Sequence, residues 1–210
     1  MYQLEYIHIC GGISLGYETI TSVKVLHTDL KGLDNPKIVD LCLQWRDHKI
    51  DDSPQATGFE DSRIPDDPEI DKLKDKVMEV VAERIDQRYY LQEIWAHILG
   101  PLQSTMIHSH RNPKDYNSLY LSWVYYPHQH PQDKGGRLRF QMVSHMMMNN
   151  HEVTPREGHI IFFPSWLNHY TTPNVGNDDR ISISGNLKLK DEHYDRVYRD
   201  RESGVHAFYS

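Results

Sequence analysis

Residues 158–169 read Gly-His-Ile-Ile-Phe-Phe-Pro-Ser-Trp-Leu-Asn-His, and this stretch decides how the rest of the chain is interpreted. It follows the turn signal Glu157-Gly158 and continues as a short apolar run, which is typical of a buried strand. His169 then stands at the start of the next predicted strand. A core histidine that bonds to a backbone carbonyl would fit this position as well as a metal ligand, so the segment alone leaves both interpretations open.

Short segments of the same character extend on both sides of this stretch. From about residue 89 to residue 189 they are rich in Val, Ile, Tyr, Phe and Trp and are separated by turn signals. The predicted strands are Leu91–Leu99, Gln103–His110, Leu119–Tyr126, Arg137–Ser144, Glu152–Thr154, His159–Phe163, His169–Thr172 and Arg180–Leu189. This spacing predicts a mainly β protein with flanking helices, built as a β-sandwich or a jelly roll.

The first third of the chain predicts helices and loops instead. One helix is expected to start at Asn35-Pro36, and a second is expected to be capped by Asp67 with Pro68 in its first turn. We expect a single domain over residues 1–210. Its helical and loop-rich part, 1–88, packs on a β core, 89–189, and a charged tail, 190–210, follows.

Charge and composition restrict the partners. The net charge of −7 argues against binding to nucleic acid, because a polyanion is repelled on average. Cys10 and Cys42 lie too far apart to form a disulfide framework or a zinc site. The amino terminus lacks a signal-peptide pattern, and no stretch is long and apolar enough to span a bilayer. We therefore expect a soluble cytoplasmic protein.

His108-Ser109-His110 lies at the end of a predicted strand and is a candidate metal site. Side chains two residues apart on a strand point to the same face, so both imidazoles can reach one ion. The pattern is weak by itself, and the chain contains a second copy, His128-Gln129-His130, flanked by prolines. We expect this second copy to lie in a solvated hairpin loop.

Arg180 begins a strand whose polar and apolar residues alternate. Arg180, Ser182 and Ser184 are expected on one face, with isoleucines on the other. Burying an unpaired guanidinium is costly, so an inward-facing arginine requires a partner. A bound carboxylate matches the guanidinium and the serine hydroxyl together. The alternative is an ion pair with Asp178 or Asp179 at the rim of a hairpin.

Five stretches taken together resemble a known family in their order and spacing. They are WAHILGP (95–101), HSH (108–110), SLYLSWVYY (118–126), GHIIFFPSWLNH (158–169) and RISISGN (180–186). In them the chain resembles the 2-oxoglutarate–Fe(II) oxygenases with a double-stranded β-helix core, many of which are bacterial or phage proteins. The resemblance covers under half of the chain.

The resemblance implies a role for each candidate residue. In that family a His-x-His pair and a later histidine hold iron, and an Arg-x-Ser segment binds the far carboxylate of 2-oxoglutarate. The metal ligands would be His108, His110 and His169, and the cosubstrate would be bound by Arg180 and Ser182. The implied cofactors are Fe(II) and 2-oxoglutarate, with no catalytic residue beyond the metal ligands.

The chain also departs from the pattern. His110 stands where the wider superfamily has an aspartate. The family tends to have Asn where His97 stands and Phe where Gly185 stands. Arg111 to Asn117 resemble an insertion, and Asp115 within it is an alternative carboxylate ligand.

The sequence therefore predicts a 2-oxoglutarate- and O2-dependent Fe(II) oxygenase, a hydroxylase by default, whose unknown substrate we expect to be a protein or peptide. Two alternatives stay open. One is a three-histidine cupin-type metalloenzyme that does not use 2-oxoglutarate, and the other is a non-enzymatic jelly-roll binding module.

Overall fold

The computed structural model describes residues 23–47, 64–110, 121–131, 133–142 and 151–189 in full. It describes the backbone alone of residues 5–9, 13–17, 61–62, 143–144 and 147–150. The helices are α1 (Asn35–Gln44) and α2 (Pro68–Arg84). The strands are β1 (Glu5–Ile9), β2 (Ile13–Tyr17), β3 (Leu26–Asp29), β4 (Asp61–Ser62), β5 (Tyr89–Leu99), β6 (Leu121–Tyr125), β7 (Leu138–Ser144), β8 (Met147–Val153), β9 (His159–Pro164), β10 (Asn168–Thr171) and β11 (Arg180–Leu189).

Nine of these strands form two antiparallel sheets. The major sheet has the order β3-β9-β6-β11-β5-β4, and the minor sheet has the order β10-β7-β8. Apart from β4 and β5, the neighbours in the major sheet are not consecutive in the chain, as a jelly roll requires. The pair β1 and β2 forms a separate hairpin. The prediction of a mainly β fold with flanking helices is confirmed.

The major sheet is buried on both faces, which explains the uninterrupted apolar run in β9. Ile160 and Phe162 contact the core that also contains the buried residues of α1 and α2. Ile161 and Phe163 face the other way and pack with Phe140 of the minor sheet. The molecule therefore has three layers: helices, major sheet and minor sheet.

Helix α2 starts and packs as its sequence predicts. The side chain of Asp67 accepts a hydrogen bond from the amide of Glu69 at 2.8 Å, and Pro68 occupies the first turn. The buried stripe consists of Ile70, Leu73, Val77 and Val81. Each such side chain contributes about 1.5–3 kcal/mol on burial, which holds the helix on the sheet.

Three segments differ from the sequence predictions. Residues 1–88 also contain β1 to β4, of which β3 and β4 extend the major sheet. The strand predicted at 152–154 starts at Met147 and runs through Asn149-Asn150, because pairing with β7 overrides the weak strand propensity of asparagine. Residues 103–110 form one isolated bridge rather than a regular strand. The tail, 190–210, lies outside the described residues.

In the described part of the chain, no helix has both the length and the apolar character needed to cross a bilayer.

Candidate functional site

Three histidines meet between the two sheets. One ring nitrogen of each of His108, His110 and His169 lies within 4.8 Å of the corresponding nitrogen of the other two. The ring centroids of His108 and His169 are 4.4 Å apart, and those of His110 and His169 are 5.1 Å apart. The structure thus brings together all three residues that the sequence nominated as ligands.

Backbone pairing explains why these residues meet. His108 and His169 form an antiparallel bridge in which each amide donates to the other's carbonyl, at 3.0 and 2.8 Å. Two residues later, the amide of His110 donates to the carbonyl of Ser165 at 2.8 Å. The His-x-His segment therefore runs beside β10 and the turn before it, so both of its imidazoles approach His169.

Hydrogen bonds fix the tautomers of two of the rings. Nδ1 of His108 lies 2.8 Å from the carbonyl of Met106, and Nδ1 of His169 lies 2.8 Å from the carbonyl of Leu167. A carbonyl oxygen only accepts, so Nδ1 carries the proton in each ring and Nε2 keeps its lone pair. Nδ1 of His110 lies 3.0 Å from Oδ1 of Asn186. Such partners are the usual supports of metal-binding histidines.

Burial keeps the three rings neutral. Desolvation, followed by the repulsion of His108, lowers the pKa of His110 to about 4. Desolvation and repulsion from His108 and His110 lower the pKa of His169 well below its ordinary value. Neutral imidazole is the form that binds metal, because protonation removes the lone pair.

Aromatic rings enclose the cluster. Trp95 stacks on His110 with 5.5 Å between ring centroids. Phe163 lies edge-on to His169 at 4.8 Å, and Phe140 lies at 6.4 Å from the same ring. These side chains restrict the rotation of the imidazoles and limit the access of water.

Arg180 is buried in the same interior, with 1% of its surface exposed. Its Nε donates to the carbonyl of Gly136 at 3.0 Å, and its Nη1 donates to Oγ of Ser182 at 2.7 Å. Nη1 also lies 3.3 Å from Nδ1 of His97, and Nη2 lies 3.4 Å from the hydroxyl of Tyr126. None of these partners carries a negative charge.

The guanidinium has no anionic partner among the residues that the structure describes. Asp179, one of the partners considered for Arg180, instead pairs with Arg46 at 2.6 Å. Burial lowers the pKa of Arg180, and only Tyr126 acts in the opposite direction. An arginine nevertheless remains charged in a protein, so the buried cation requires an anion.

Two hydroxyl groups complete an anion site around Arg180. The oxygen atoms of Ser182 and Tyr126 each accept from the guanidinium, which leaves their own protons available to a ligand. Sequence analysis assigned Ser182 but gave no role to Tyr126. The sequence pattern around β6 could not show that the hydroxyl of Tyr126, the residue after this strand, reaches Arg180.

His97 lies between the two groups of side chains. It contacts Arg180, and its charge would also lower the pKa of His169. Trp95 is two residues earlier on the same face of β5 and stacks on His110. Residues 95 and 97 of β5 therefore contact the histidine cluster and the anion site respectively.

One sequence prediction at the second His-x-His pair is wrong. His130 is not solvated but only 2% exposed, because the loop packs against Gly136 and Arg180. Its Nε2 has no partner in the described part of the structure, and neither has Nδ1 of His128. Asp115, the alternative metal ligand, lies outside the described residues.

Comparison with known families assigns the enzyme class. Residues 93–186 match the model of the family described as "Putative 2OG-Fe(II) oxygenase". The matched stretch includes the three clustered histidines, Arg180 and Ser182. This core is that of a 2-oxoglutarate–Fe(II) oxygenase. The sequence-based resemblance, the enzyme class and the cofactors, Fe(II) and 2-oxoglutarate, are confirmed, and the two alternative functions lose their support.

Solved structures with this fold share little sequence with the chain. A prolyl-4-hydroxylase from Pseudomonas putida has a TM-score of 0.56 at 18% identity, over 79% of this chain and 92% of that one. HygX from Streptomyces hygroscopicus, with nickel, 2-oxoglutarate and hygromycin B bound, has a TM-score of 0.60 at 14% identity, over 80% and 84%. No curated protein matches the chain in sequence.

The residues present fit both cofactors of the class. The histidine cluster offers imidazole lone pairs to a metal of the first transition row, and nitrogen ligands suit iron. The buried guanidinium lacks an anion, which a carboxylate of 2-oxoglutarate would provide.

Proposed function

We propose that His108, His110 and His169 hold Fe(II), that Arg180 and Ser182 bind the far carboxylate of 2-oxoglutarate, and that the enzyme hydroxylates its substrate. One observation carries the proposal. A single protein interior contains a cluster of three neutral imidazoles and, beside it, a buried guanidinium without an anionic partner. A metal ion would use the three imidazole lone pairs, and a carboxylate would give the guanidinium an anionic partner, so the two cofactors of this enzyme class match the two features.

The protein's own side chains bind and orient the metal and 2-oxoglutarate. Arg180 would neutralise the far carboxylate, and the hydroxyls of Ser182 and Tyr126, which accept from Arg180, would donate to its oxygen atoms. Phe140 and Phe163 restrict water around the metal ligands. When bound together, Fe(II) and 2-oxoglutarate supply the activation of O2 and the insertion of one oxygen atom into a C–H bond, with succinate and CO2 as the other products.

A histidine at position 110 changes the charge of the site. With three neutral ligands, the metal, the 2-oxoglutarate dianion and the Arg180 guanidinium would together carry one positive charge. A carboxylate ligand in place of His110 would bring this sum to zero. Arg180 would be the cationic partner of the far carboxylate in either case, which makes this residue the sharpest position for a test.

We further propose that the substrate is an extended peptide. Three exposed apolar side chains, Met106, Ile107 and Trp166, adjoin the metal ligands along the chain and form what we term the apolar rim. The amide and the carbonyl of His108 both bond to His169 in β10. In an antiparallel ladder, the amide and the carbonyl of the preceding residue, Ile107, therefore point away from β10. No described residue bonds to the main chain of Ile107, and such an edge suits a peptide strand. One structural neighbour, a prolyl hydroxylase from Trichoplax adhaerens, is in complex with a peptide fragment.

An anaerobic titration tests the cofactor assignment. Metal-free protein receives Fe(II) and then 2-oxoglutarate, and the weak visible charge-transfer band of the chelate is followed. Arg180→Ala should raise the 2-oxoglutarate concentration at the midpoint by roughly 10- to 100-fold, because it removes charge-assisted hydrogen bonds. Tyr126→Phe should raise it by roughly 3- to 10-fold, because it removes one neutral hydrogen bond.

Matched variants control both substitutions. Arg137 pairs with Glu152 in the minor sheet, and Tyr125 bonds to Asn35 on the opposite face of β6, so Arg137→Ala and Tyr125→Phe should leave the midpoint unchanged. Iron binding without the band would favour the cupin-type alternative. A protein that binds no metal would refute the histidine assignment.

A further inference from the structure

His110 differs from the other two histidines in the partner of its Nδ1. His108 and His169 face backbone carbonyls, which can only accept. His110 faces the side-chain amide of Asn186, at 3.0 Å from Oδ1. Since an amide has one accepting and one donating end, the tautomer of His110 depends on which end of Asn186 is turned toward it.

Glu93 sets the orientation of that amide. Nδ2 of Asn186 donates to Oε1 of Glu93 at 2.6 Å. The reversed amide would place its oxygen against the carboxylate and aim its N–H groups at His110. Nδ1 of His110 would then have to accept, Nε2 would carry the proton, and the metal-facing lone pair would be lost.

Two serines favour the same orientation. Oγ of Ser122 donates to Oδ1 of Asn186 at 2.7 Å and lies 2.9 Å from Oγ of Ser165. Ser122 has one hydroxyl proton, which it gives to Asn186, so Ser165 must donate to Ser122. The backbone carbonyl of Ser165 also accepts from the amide of His110, so this network holds the histidine at its ring and its main chain.

Strand register explains how these residues come together. Asn186 of β11 lies opposite Glu93 of β5 and opposite Ser122 of β6, so the three share one face of the major sheet. The register of β5 shifts immediately beyond Glu93, where Leu187 pairs with Leu91. Such bulges re-aim neighbouring side chains, and this one lies next to the carboxylate that orients the amide.

We propose that Asn186, oriented by Glu93, is a positioning residue that fixes His110 as the Nδ1–H tautomer and so reserves its Nε2 for the metal. The consequence for metal binding rests on the proposed function. The tautomer itself is a property of the metal-free protein and is measurable without any cofactor.

The first experiment determines the tautomer directly. Metal-free protein with nitrogen-15 histidine is studied by long-range proton–nitrogen correlation at about pH 8, where imidazoles are neutral. The native protein should show His110 protonated at Nδ1. Asn186→Ala should give mainly the Nε2–H form, which is the preferred tautomer in water. Glu93→Gln, a change at an exposed position, should give a mixture, because either orientation of the Asn186 amide then has a partner.

A double variant that exchanges the amide at position 186 with the carboxylate at position 93 should restore the Nδ1–H tautomer of His110. In the double variant Asn186→Asp with Glu93→Gln, the carboxylate stands at position 186 and can only accept from His110, while the amide at position 93 donates to it. The Nδ1–H form should return. Asn174→Ala is the control, because Asn174 is also buried but bonds to the backbone of Leu99, Asp178 and Gly176. It should destabilise the fold without changing the tautomer.

Nickel affinity of the same variants provides the second readout. Asn186→Ala should weaken Ni(II) binding by about 10- to 100-fold, and the double variant should recover most of this loss. Three results would overturn the proposal: the Nδ1–H tautomer persists in Asn186→Ala, the double variant does not restore that tautomer, or all variants bind Ni(II) equally well.

If the native protein binds no metal, the proposed function fails. That failure can be told apart from a failure of this proposal, because the tautomer of His110 is measured without metal.

Discussion

The imidazole of His110 illustrates how strongly the interior changes a side chain of this protein. Its pKa falls to about 4, first through desolvation and then through repulsion by His108. Six described histidines have lowered pKa values, and in each the largest cause is burial: His108, His110, His128, His130, His159 and His169. The folded protein therefore binds protons less readily than the unfolded chain.

This difference predicts acid sensitivity of the metal-free protein. Histidines of the unfolded chain take up protons near pH 6.5, while those in the fold stay neutral to lower pH, so the free energy of unfolding falls as the pH drops. Each such proton contributes about 1.4 kcal/mol per pH unit. Urea titrations between about pH 8 and pH 5 should show that the free energy of unfolding falls more steeply with pH than the uptake of a single proton would cause.

A free energy of unfolding that stays constant over this range would contradict the expectation. The aspartates with lowered pKa values, Asp29 and Asp67, act in the same direction but in a separate window. Their contribution is present above about pH 3.8 and disappears as the pH falls further.

Residue patterns alone could predict part of the site. The alternation of a strand places His108 with His110, and Arg180 with Ser182, and the resemblance adds His169. The partners that orient them were not predictable. Asn186 and Tyr126 act through atoms whose positions depend on register and on packing between strands distant in sequence. The burial of His130 was missed for the same reason, since flanking prolines suggest a loop but do not show what covers it.

At the scale of elements, Gly185 shows how β11 fits between its neighbours. A Cβ at this position would lie 2.6 Å from the carbonyl oxygen of Glu93 and 2.6 Å from two atoms of the Trp123 ring. Trp123 is opposite Gly185 in the β6–β11 pair and is fully buried. The large ring of one strand thus occupies the space that a side chain on the next strand would need, which accounts for glycine where the related family tends to have phenylalanine.

Gly185→Ala should therefore destabilise the protein. Overpacking of a tight core costs about 1–3 kcal/mol, and a urea titration at neutral pH measures the loss. In a Trp123→Phe background the cost should be smaller, because the ring no longer meets the new methyl group. Ser184→Ala, the neighbouring change on the opposite face of β11, serves as the control. If Gly185→Ala is as stable as the native protein, β11 and its neighbours must make room for the methyl group without any loss of stability, and the expectation is wrong.

At the scale of the whole molecule, periodicity predicted a mainly β fold with helices, but it did not predict which strands pair in each sheet. Eight short strands with turn signals predict a β-sandwich or a jelly roll, and the resemblance to the oxygenases favours the jelly roll. Helix α2 has a cap and an apolar stripe. Nothing in residues 23–30 identifies β3 as an edge of the major sheet, because its four residues acquire their structure by pairing with β9. Long-range pairing of this kind leaves little local pattern in the sequence.

The arrangement of the site in the molecule carries the last prediction, which concerns the substrate. The apolar rim adjoins the three clustered histidines along the chain, so we expect mixtures of unfolded peptides to stimulate succinate release from 2-oxoglutarate and free amino acids not to do so. Trp166→Ala should raise the peptide KM at least about tenfold, because exposed tryptophans at binding surfaces often dominate affinity. Val175→Ser changes an equally exposed apolar residue beside Lys134 and should leave KM unchanged. Stimulation by small molecules alone would refute the peptide assignment and leave the cofactor site intact.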